Sequence, residues 1–309
     1  MRKKLSIIIP VYYEELVINE CYRRLINVVE NIDMDYELIF VNDGSKDNTL
    51  TLLKEKAKIN PNVKIIDFAR NFGHQIAVTA GMFEATGDAV VLIDSDLQDP
   101  PELIPEMISK WEEGFDVVYG TRNNREGETF FKLITAKYYY KFLSNISDIK
   151  IPKDTGDFRL MDKKVVDVFK NMPEKDRYVR GMISWIGFNQ TNVVYNRDKR
   201  FSGETKYPLK KMINLALDGI ISFSKNPFRL VLSTAITGLI LSILLFIGII
   251  SWFIYSKDLS LSWISLVPFI LFLNSTNMII LGVIGEYISR IYGEAKGRPL
   301  YIVKEYINF

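Results

Sequence analysis

The chain has 309 residues, of which 48% are hydrophobic and 25% are charged, and its formal net charge is +2. This composition is typical of a folded protein, and the small net charge excludes a polyelectrolyte, so we expect no nucleic-acid partner. The single cysteine, Cys21, excludes an internal disulfide, and the single histidine, His74, excludes a metal site built from several histidines. We expect Cys21 to be a small buried hydrophobic residue in a helix.

The first two hundred residues alternate between apolar runs and amphipathic stretches. The apolar runs predict strands at 5–12, 36–43, 63–69, 89–95 and 116–122. The amphipathic stretches predict helices at 15–31, 47–59, 75–85 and 101–113. This alternation predicts an α/β fold, in which a parallel, Rossmann-type sheet carries helices on both faces.

The second part of the chain contains two apolar stretches without charge, Leu230–Tyr255 and Leu261–Gly285. Each exceeds the roughly 20 residues that a helix needs to cross a bilayer, so they predict a transmembrane hairpin. Buried core helices are the alternative, but soluble helices rarely run so far without a polar face. Basic flanks predict a multi-pass plasma-membrane protein whose termini and catalytic domain are cytoplasmic.

These features predict four parts of the chain. A catalytic domain is followed by an amphipathic helix that lies in the membrane interface, then by the two spans, at about 230–255 and 261–285, and by a cytoplasmic tail. The predicted bounds are 1–206, 207–229, 230–288 and 289–309.

Two carboxylates, Asp94 and Asp96, directly follow the predicted strand at 89–95. Ligands bind beyond the carboxyl ends of strands in open parallel sheets, and carboxylates suit Mg²⁺ or Mn²⁺, which also bridge to substrate phosphates. The sequence therefore predicts that both residues bind one divalent metal ion, although solvated acidic loops are common. We expect Asp99 to cap the helix that follows Pro100 and Pro101.

Polar clusters also follow the first two predicted strands. Asp43 stands where it could read a nucleobase, as do Tyr12 and Glu14, whereas Pro10 could simply terminate its strand. Three such clusters predict a nucleotide site. Neither G-x-G-x-x-G nor a P-loop occurs, which disfavours NAD binding and ATP hydrolysis.

An ordered set of motifs resembles the family-2 glycosyltransferases of GT-A fold. The motifs are PVYYEE, VNDGSKDNT, ARNFGHQ, DSDLQDPPE, GTR, TGDFRLMD and RFSGETKYPLKKM. The chain most resembles the polyprenyl-phosphate branch, which includes bactoprenol glucosyltransferases and dolichol-phosphate mannose synthases. It departs from the family at Tyr13, where asparagine is usual.

The resemblance implies a nucleotide-sugar donor, UDP-glucose or a close relative, and a polyprenyl-phosphate acceptor. It implies nucleotide contacts at Pro10, Tyr12, Glu14, Asp43 and Asp94. It places the metal on Asp94 and Asp96, the latter also catalytic, with Gln98 nearby, and a catalytic base at Asp157. Contacts with the diphosphate or the acceptor phosphate are expected from Arg122, Arg200 and Lys206.

Several alternatives stay open. Asp157 could be a structural acid paired with Arg159 or a lysine, and the basic stretch at 197–211 could be a solvated surface or could bind membrane lipids. The chain could instead be a membrane polysaccharide synthase, although the Q-x-x-R-W motif of that class is absent. It could also be a catalytically silent nucleotide-sugar-binding scaffold. Whether it forms a homo-oligomer is also open.

Overall fold

The structure is a computed structural model that describes residues 2–123, 155–196, 259–309 and part of the stretch 236–255. The chain divides into two compact units. The first unit holds the β-sheet and the C-terminal residues 299–309, and the second holds a long helix, Leu259–Ala295.

The first unit is built on one sheet, whose strand order is β7-β5-β6-β4-β1-β2-β3-β8. The described strands are β1 (Lys4–Val11), β2 (Asp35–Asn42), β3 (Val63–Phe68), β4 (Ala89–Leu92), β5 (Val117–Arg122), β6 (Thr155–Asp162), β7 (Gln190–Tyr195) and β8 (Val303–Ile307). The five predicted strands correspond to β1 to β5. The sheet is mixed rather than parallel, because β6 runs antiparallel between β4 and β5, and β8 runs antiparallel along β3.

Helices cover both faces of this sheet. They are α1 (Ile18–Val29), α2 (Thr49–Ile59), α3 (His74–Glu84), α4 (Ile104–Glu112), α5 (Lys163–Lys170) and α6 (Val179–Ile186). The helix of the second unit is α7 (Leu259–Ala295). The four predicted helices correspond to α1 to α4, and Cys21 is buried in α1, as predicted.

The core follows from the alternation of side chains along β1, whose residues Leu5–Val11 are all buried. Leu5, Ile7 and Ile9 face the hydrophobic core that contains residues of α1, α2 and α4. Ile8 points to the other face, where α3 packs. A Cβ atom on Gly81 of α3 would lie 2.3 Å from the Ile8 side chain, so glycine allows the helix to approach the sheet this closely.

The loops that carry most of the predicted site residues meet at one edge of the sheet. β1, β2, β3 and β4 are parallel, so their carboxyl ends meet there. β6 runs in the opposite direction with Arg159 opposite Leu92, which brings its first residues, Thr155–Asp157, to the same edge. The carboxyl ends of β5 and β7 also lie there, because these strands run antiparallel to β6. Residues as far apart in the chain as Val11 and Tyr195 therefore lie at one edge.

The predicted membrane localisation is wrong. In the part of the chain that the structure describes, no helix is both long enough and apolar enough to cross a membrane. The prediction rested on length and on the absence of charge, which do not by themselves make a helix apolar, and α7 contains the polar run Asn274–Asn277. The transmembrane hairpin is unconfirmed, and the predicted interfacial helix at 207–229 lies outside the described residues.

Candidate active site

Asp43 organises the loop that leads from β3 into α3. Its buried carboxylate accepts hydrogen bonds from the backbone N–H groups of Phe72 (2.6 Å) and Gly73 (3.0 Å) and from the side-chain amide of Asn71 (2.8 Å). Burial raises the pKa of Asp43, and the two backbone donors oppose that rise. Both carboxylate oxygens are therefore already engaged within the chain.

Gly44 lets the loop after β2 touch the loop after β3. Its φ angle is +71°, in the left-handed region that glycine adopts without strain. A Cβ atom at this position would lie 2.5 Å from the carbonyl carbon of Arg70. Both the backbone conformation and the close approach therefore require glycine.

The predicted nucleotide contacts after β1 lie in different settings. Pro10 is buried inside β1, which continues to Val11, so this proline does not terminate the strand. The rings of Tyr12 and Tyr13 pack edge to face with 4.5 Å between their centroids. The backbone N–H of Glu14 donates to the hydroxyl of Thr49 at 2.9 Å, which fixes this loop to the start of α2.

Exposure alternates along the acidic loop after β4. Asp94, Asp96 and Gln98 are partly exposed, whereas the residues between them are buried. Leu97 has a φ angle of +59°, a strained conformation for a bulky side chain, and its buried side chain anchors it there. The Asp96 carboxylate accepts the backbone N–H of Gln98 at 3.2 Å. The three predicted residues thus share the open face of one loop.

The prediction that Asp99 caps the following helix is wrong. Pro100 occupies the capping position of a short 3-10 helix, Pro101–Leu103, that precedes α4, and no side chain caps this helix. Asp99 is fully buried, accepts the hydroxyl of Tyr195, and lies 3.6 Å from the guanidinium of Arg122. An unpaired buried carboxylate costs more free energy than a helix end that lacks a side-chain cap, so the pairing of Asp99 takes precedence over capping. Arg122, 24% exposed, is thereby held at the edge of the site.

Asp157 lies between two cationic side chains. One carboxylate oxygen accepts from the Arg180 guanidinium at 3.1 Å, and the other lies 3.1 Å from His74 Nε2. Burial by itself would raise the pKa of Asp157, but Arg180 and His74 outweigh burial and hold it well below its usual value. Arg159 donates to the backbone carbonyls of Gly156 and Asp157 rather than to the carboxylate.

His74 also joins Asp157 to the acidic loop, because its Nε2 lies 3.7 Å from an oxygen of Asp94. Burial disfavours the protonated imidazole and so lowers the pKa of His74. The carboxylates of Asp94 and Asp157 outweigh burial and raise this pKa to about 9. Burial raises the pKa of Asp94 to about 7 although the charge of His74 lowers it, and the carboxylates of Asp157, Asp99 and Asp96 add to the rise. The imidazole of His74 therefore lies between the carboxylates of Asp94 and Asp157.

The donor set suits a divalent cation. Among the described residues, no group of three or more histidine, cysteine, aspartate or glutamate side chains is arranged to hold a metal. Mg²⁺, however, typically binds through one or two carboxylates together with waters and substrate phosphates. Asp94 and Asp96 supply two such carboxylates on a partly exposed loop.

Three residues of this site were not predicted: His74, Gln75 and Arg180. His74 and Gln75 stand in the ARNFGHQ motif, and they follow a strand end as the predicted site residues do. No signal in the sequence points to Arg180, since α6 is brought to Asp157 by the tertiary fold. Arg200 and Lys206, by contrast, lie outside the described residues.

Comparison with known proteins identifies the family of this chain. A model of glycosyl transferase family 2 matches residues 6–169, and the chain belongs to this family. It is 55% identical over 303 residues to an uncharacterised glycosyltransferase of Bacillus subtilis strain 168, covering 97% of this chain and 93% of that relative. It is 42% identical over 306 residues to a bactoprenol glucosyl transferase of Shigella phage SfII, covering 98% of each.

The fold has a counterpart among solved structures. The mannosyl-3-phosphoglycerate synthase from Rubrobacter xylanophilus gives a TM-score of 0.52 at 15% identity, covering 70% of this chain and 71% of that one. This likeness shows a shared fold. Together with the family match, it confirms the predicted GT-A-like α/β fold and the resemblance to family-2 glycosyltransferases.

Proposed function

We propose that this enzyme transfers glucose from UDP-glucose to polyprenyl phosphate, with inversion at the anomeric carbon. Relatives named bactoprenol glucosyl transferase are 41% and 42% identical over at least 97% of the chain, which supports this acceptor and this sugar. UDP is the donor nucleotide that the family resemblance implies. The observation that carries the proposal is the cluster in which His74 joins Asp94 to Asp157 at the sheet edge.

The chemistry requires a leaving group to be stabilised and an acceptor to be positioned. A terminal oxygen of polyprenyl phosphate bonds to the anomeric carbon while the bond from that carbon to the donor phosphate breaks, and UDP leaves with the electron pair. A divalent cation held by Asp94 and Asp96 would neutralise charge on the diphosphate. Arg122, at the edge of the site, supplies a further positive charge for the same group.

The acceptor oxygen needs no strong base. The second pKa of a phosphate monoester is about 6, so this nucleophile is largely ionised at neutral pH. Asp157 stays ionised beside Arg180, because its pKa is held well below the usual value. We assign two roles to Asp157. It orients the acceptor, and its negative charge stabilises the positive charge that develops at the anomeric carbon. Arg200 and Lys206 are proposed to contact the acceptor phosphate.

Nucleotide recognition is assigned to the loops after β1 and β2. Tyr12, whose ring packs against Tyr13, supplies a face for the base, and Glu14 lies in the same loop. Pro10 and Asp43 support these loops, the latter by accepting hydrogen bonds from the backbone N–H groups of Phe72 and Gly73. Gln98 lies beside Asp96 on the acidic loop, where the diphosphate is expected.

The test is a donor screen with purified enzyme, polyprenyl phosphate in detergent, Mg²⁺ or Mn²⁺, and UDP- or GDP-sugars in separate reactions. We expect a lipid-phosphate sugar product from UDP-glucose that disappears on addition of a chelator. Asp96→Asn serves as the inactive control. Release of UDP without a lipid product, or transfer only from a GDP-sugar, would contradict the proposed acceptor or donor.

A further inference from the structure

Asp157 is fixed through both of its oxygens by two different helices. Oδ1 accepts from the Nε and a terminal nitrogen of Arg180 in α6, at 3.3 and 3.1 Å. Oδ2 lies 3.1 Å from His74 Nε2 and 3.5 Å from the side-chain amide of Gln75, both at the start of α3. With partners on both oxygens, rotation of the carboxylate about its side-chain bonds would break contacts on both sides.

The backbone below this carboxylate is fixed as well. The buried Arg159 donates to the carbonyl of Gly156 at 3.0 Å and to the carbonyl of Asp157 at 3.2 Å. These two hydrogen bonds therefore hold the backbone at the start of β6 in place. The remaining freedom of Asp157 lies in its side chain, which the contacts from α3 and α6 control.

The helix that carries Arg180 has a second anchor. The backbone N–H of Val179 donates to the side-chain oxygen of Gln75 at 2.9 Å, and residues of α6, including Met182 and Ile183, are buried. Loss of the guanidinium should therefore leave α6 in place. The ion pair itself is a weak argument for stability, because desolvation of two partly buried charges offsets part of their attraction.

We propose that Arg180 is a positioning residue for the transfer reaction, which fixes Asp157 in the orientation that the acceptor requires. His74 lies 3.1 Å from the other oxygen of Asp157 and 3.7 Å from an oxygen of Asp94, so it stands between Asp157 and the proposed metal ligand. The inference deepens the proposed function and rests on it for the identity of the acceptor. The contacts that fix both oxygens of Asp157, here called the clamp, do not depend on which acceptor the enzyme uses.

The kinetic test compares Arg180→Ala with Arg180→Lys and with Arg2→Ala. Arg2 makes the same kind of pair, with Asp33 at 2.5 Å, but both side chains are exposed, and it precedes β1 at the amino end of the strand. We expect Arg180→Ala to lower kcat roughly 10- to 100-fold, as for loss of one charge-assisted hydrogen bond, with the KM for the donor unchanged. Arg180→Lys should keep part of the activity, and Arg2→Ala should match wild type.

Chemical rescue separates positioning from a structural role. Millimolar guanidinium should restore part of the kcat of Arg180→Ala, because it can occupy the space beside Asp157, and it should not affect Arg2→Ala. Wild-type kcat in Arg180→Ala would overturn the proposal. A raised donor KM would move Arg180 to the donor site, and a loss of activity with loss of folding and without rescue would make it structural.

A second measurement needs no substrate. His74 is the only histidine, so protein labelled with ¹³C in the histidine ring gives one imidazole signal. Release of Asp157 in Arg180→Ala should shift that signal at constant pH, whereas Arg2→Ala should leave it unchanged. An unchanged signal in Arg180→Ala would overturn the clamp. A shifted signal in an enzyme that transfers nothing to polyprenyl phosphate would instead reject the proposed function and leave the clamp standing.

Discussion

Glu37 offers the sharpest prediction about stability, because it is a buried carboxylate far from the catalytic site. That site lies at the sheet edge where β1 to β4 end, here called the catalytic edge. Glu37 lies near the start of β2 and is 1% exposed. It accepts hydrogen bonds from Lys4 Nζ (2.8 Å), the Ser6 hydroxyl (2.5 Å) and the Thr86 backbone N–H (2.9 Å), and it pairs with Lys64 at 3.0 Å. Glu37→Gln keeps the shape of the side chain but removes the charge that these donors share.

The size of the effect follows from the pKa of Glu37. Burial alone would raise it, but Lys4, Ser6, Thr86 and Lys64 outweigh burial and lower it from 4.5 to about 2. A shift of this size corresponds to about 3 kcal/mol of stability, at roughly 1.4 kcal/mol per pKa unit. Because the folded pKa is lowered, this contribution is complete above pH 4.5 and disappears as the pH falls towards 2.

The assay is urea unfolding of wild type and Glu37→Gln, followed by tryptophan fluorescence, at pH 7 and at steps down to the acid limit of folding. We expect the variant to be less stable by about 3 kcal/mol at pH 7 and the gap to narrow as the pH falls below 4.5. Glu20 is a partly exposed carboxylate that pairs with the exposed Arg23, and Glu20→Gln should unfold close to wild type. Equal stability of Glu37→Gln and wild type at pH 7, or a gap independent of pH, would refute this reasoning.

Three further predictions concern the catalytic edge. Asp96→Asn should abolish transfer and Asp94→Asn should reduce it strongly, while thermal unfolding stays near wild type; retained metal-dependent turnover would remove these carboxylates from the mechanism. Gly44→Ala should destabilise the protein and weaken nucleotide binding, because the added Cβ meets backbone at 2.5 Å and the φ angle is +71°; binding calorimetry checks this, and wild-type affinity would contradict it. Tyr195→Phe should cost about 1–3 kcal/mol in urea unfolding, since it removes the hydroxyl that Asp99 accepts; an unchanged midpoint would show that the contact contributes nothing.

The local pattern of the sequence determined most of the sheet and its helices. The runs that became β1 to β5 are continuous and apolar because these strands are covered on both faces, and this pattern can be recognised without any partner strand. The clusters that follow β1, β2 and β4 were also predictable, because parallel strands bring their carboxyl ends to one edge. The predicted membrane localisation is wrong, and the transmembrane hairpin is unconfirmed, because length and the absence of charge do not by themselves make a helix apolar enough to cross a membrane.

The direction of β6 could not be predicted from its own residues. Its eight residues are largely buried, as in a parallel strand, and only pairing with β4 and β5 makes it antiparallel. That reversal places Asp157, rather than Asp162, at the catalytic edge. The same holds for β8, which joins the sheet from the far end of the chain.

Only the tertiary structure decided which charges meet. Asp99 has the sequence context of a helix cap, yet it is buried against Tyr195, 96 residues further along the chain. Arg180 and His74 lie 23 and 83 residues from Asp157, and no spacing rule links them. The sequence by itself determined which strand ends carry carboxylates, because periodicity and turn residues are local; the partners of those carboxylates are set by strand order and direction, which depend on contacts between distant residues.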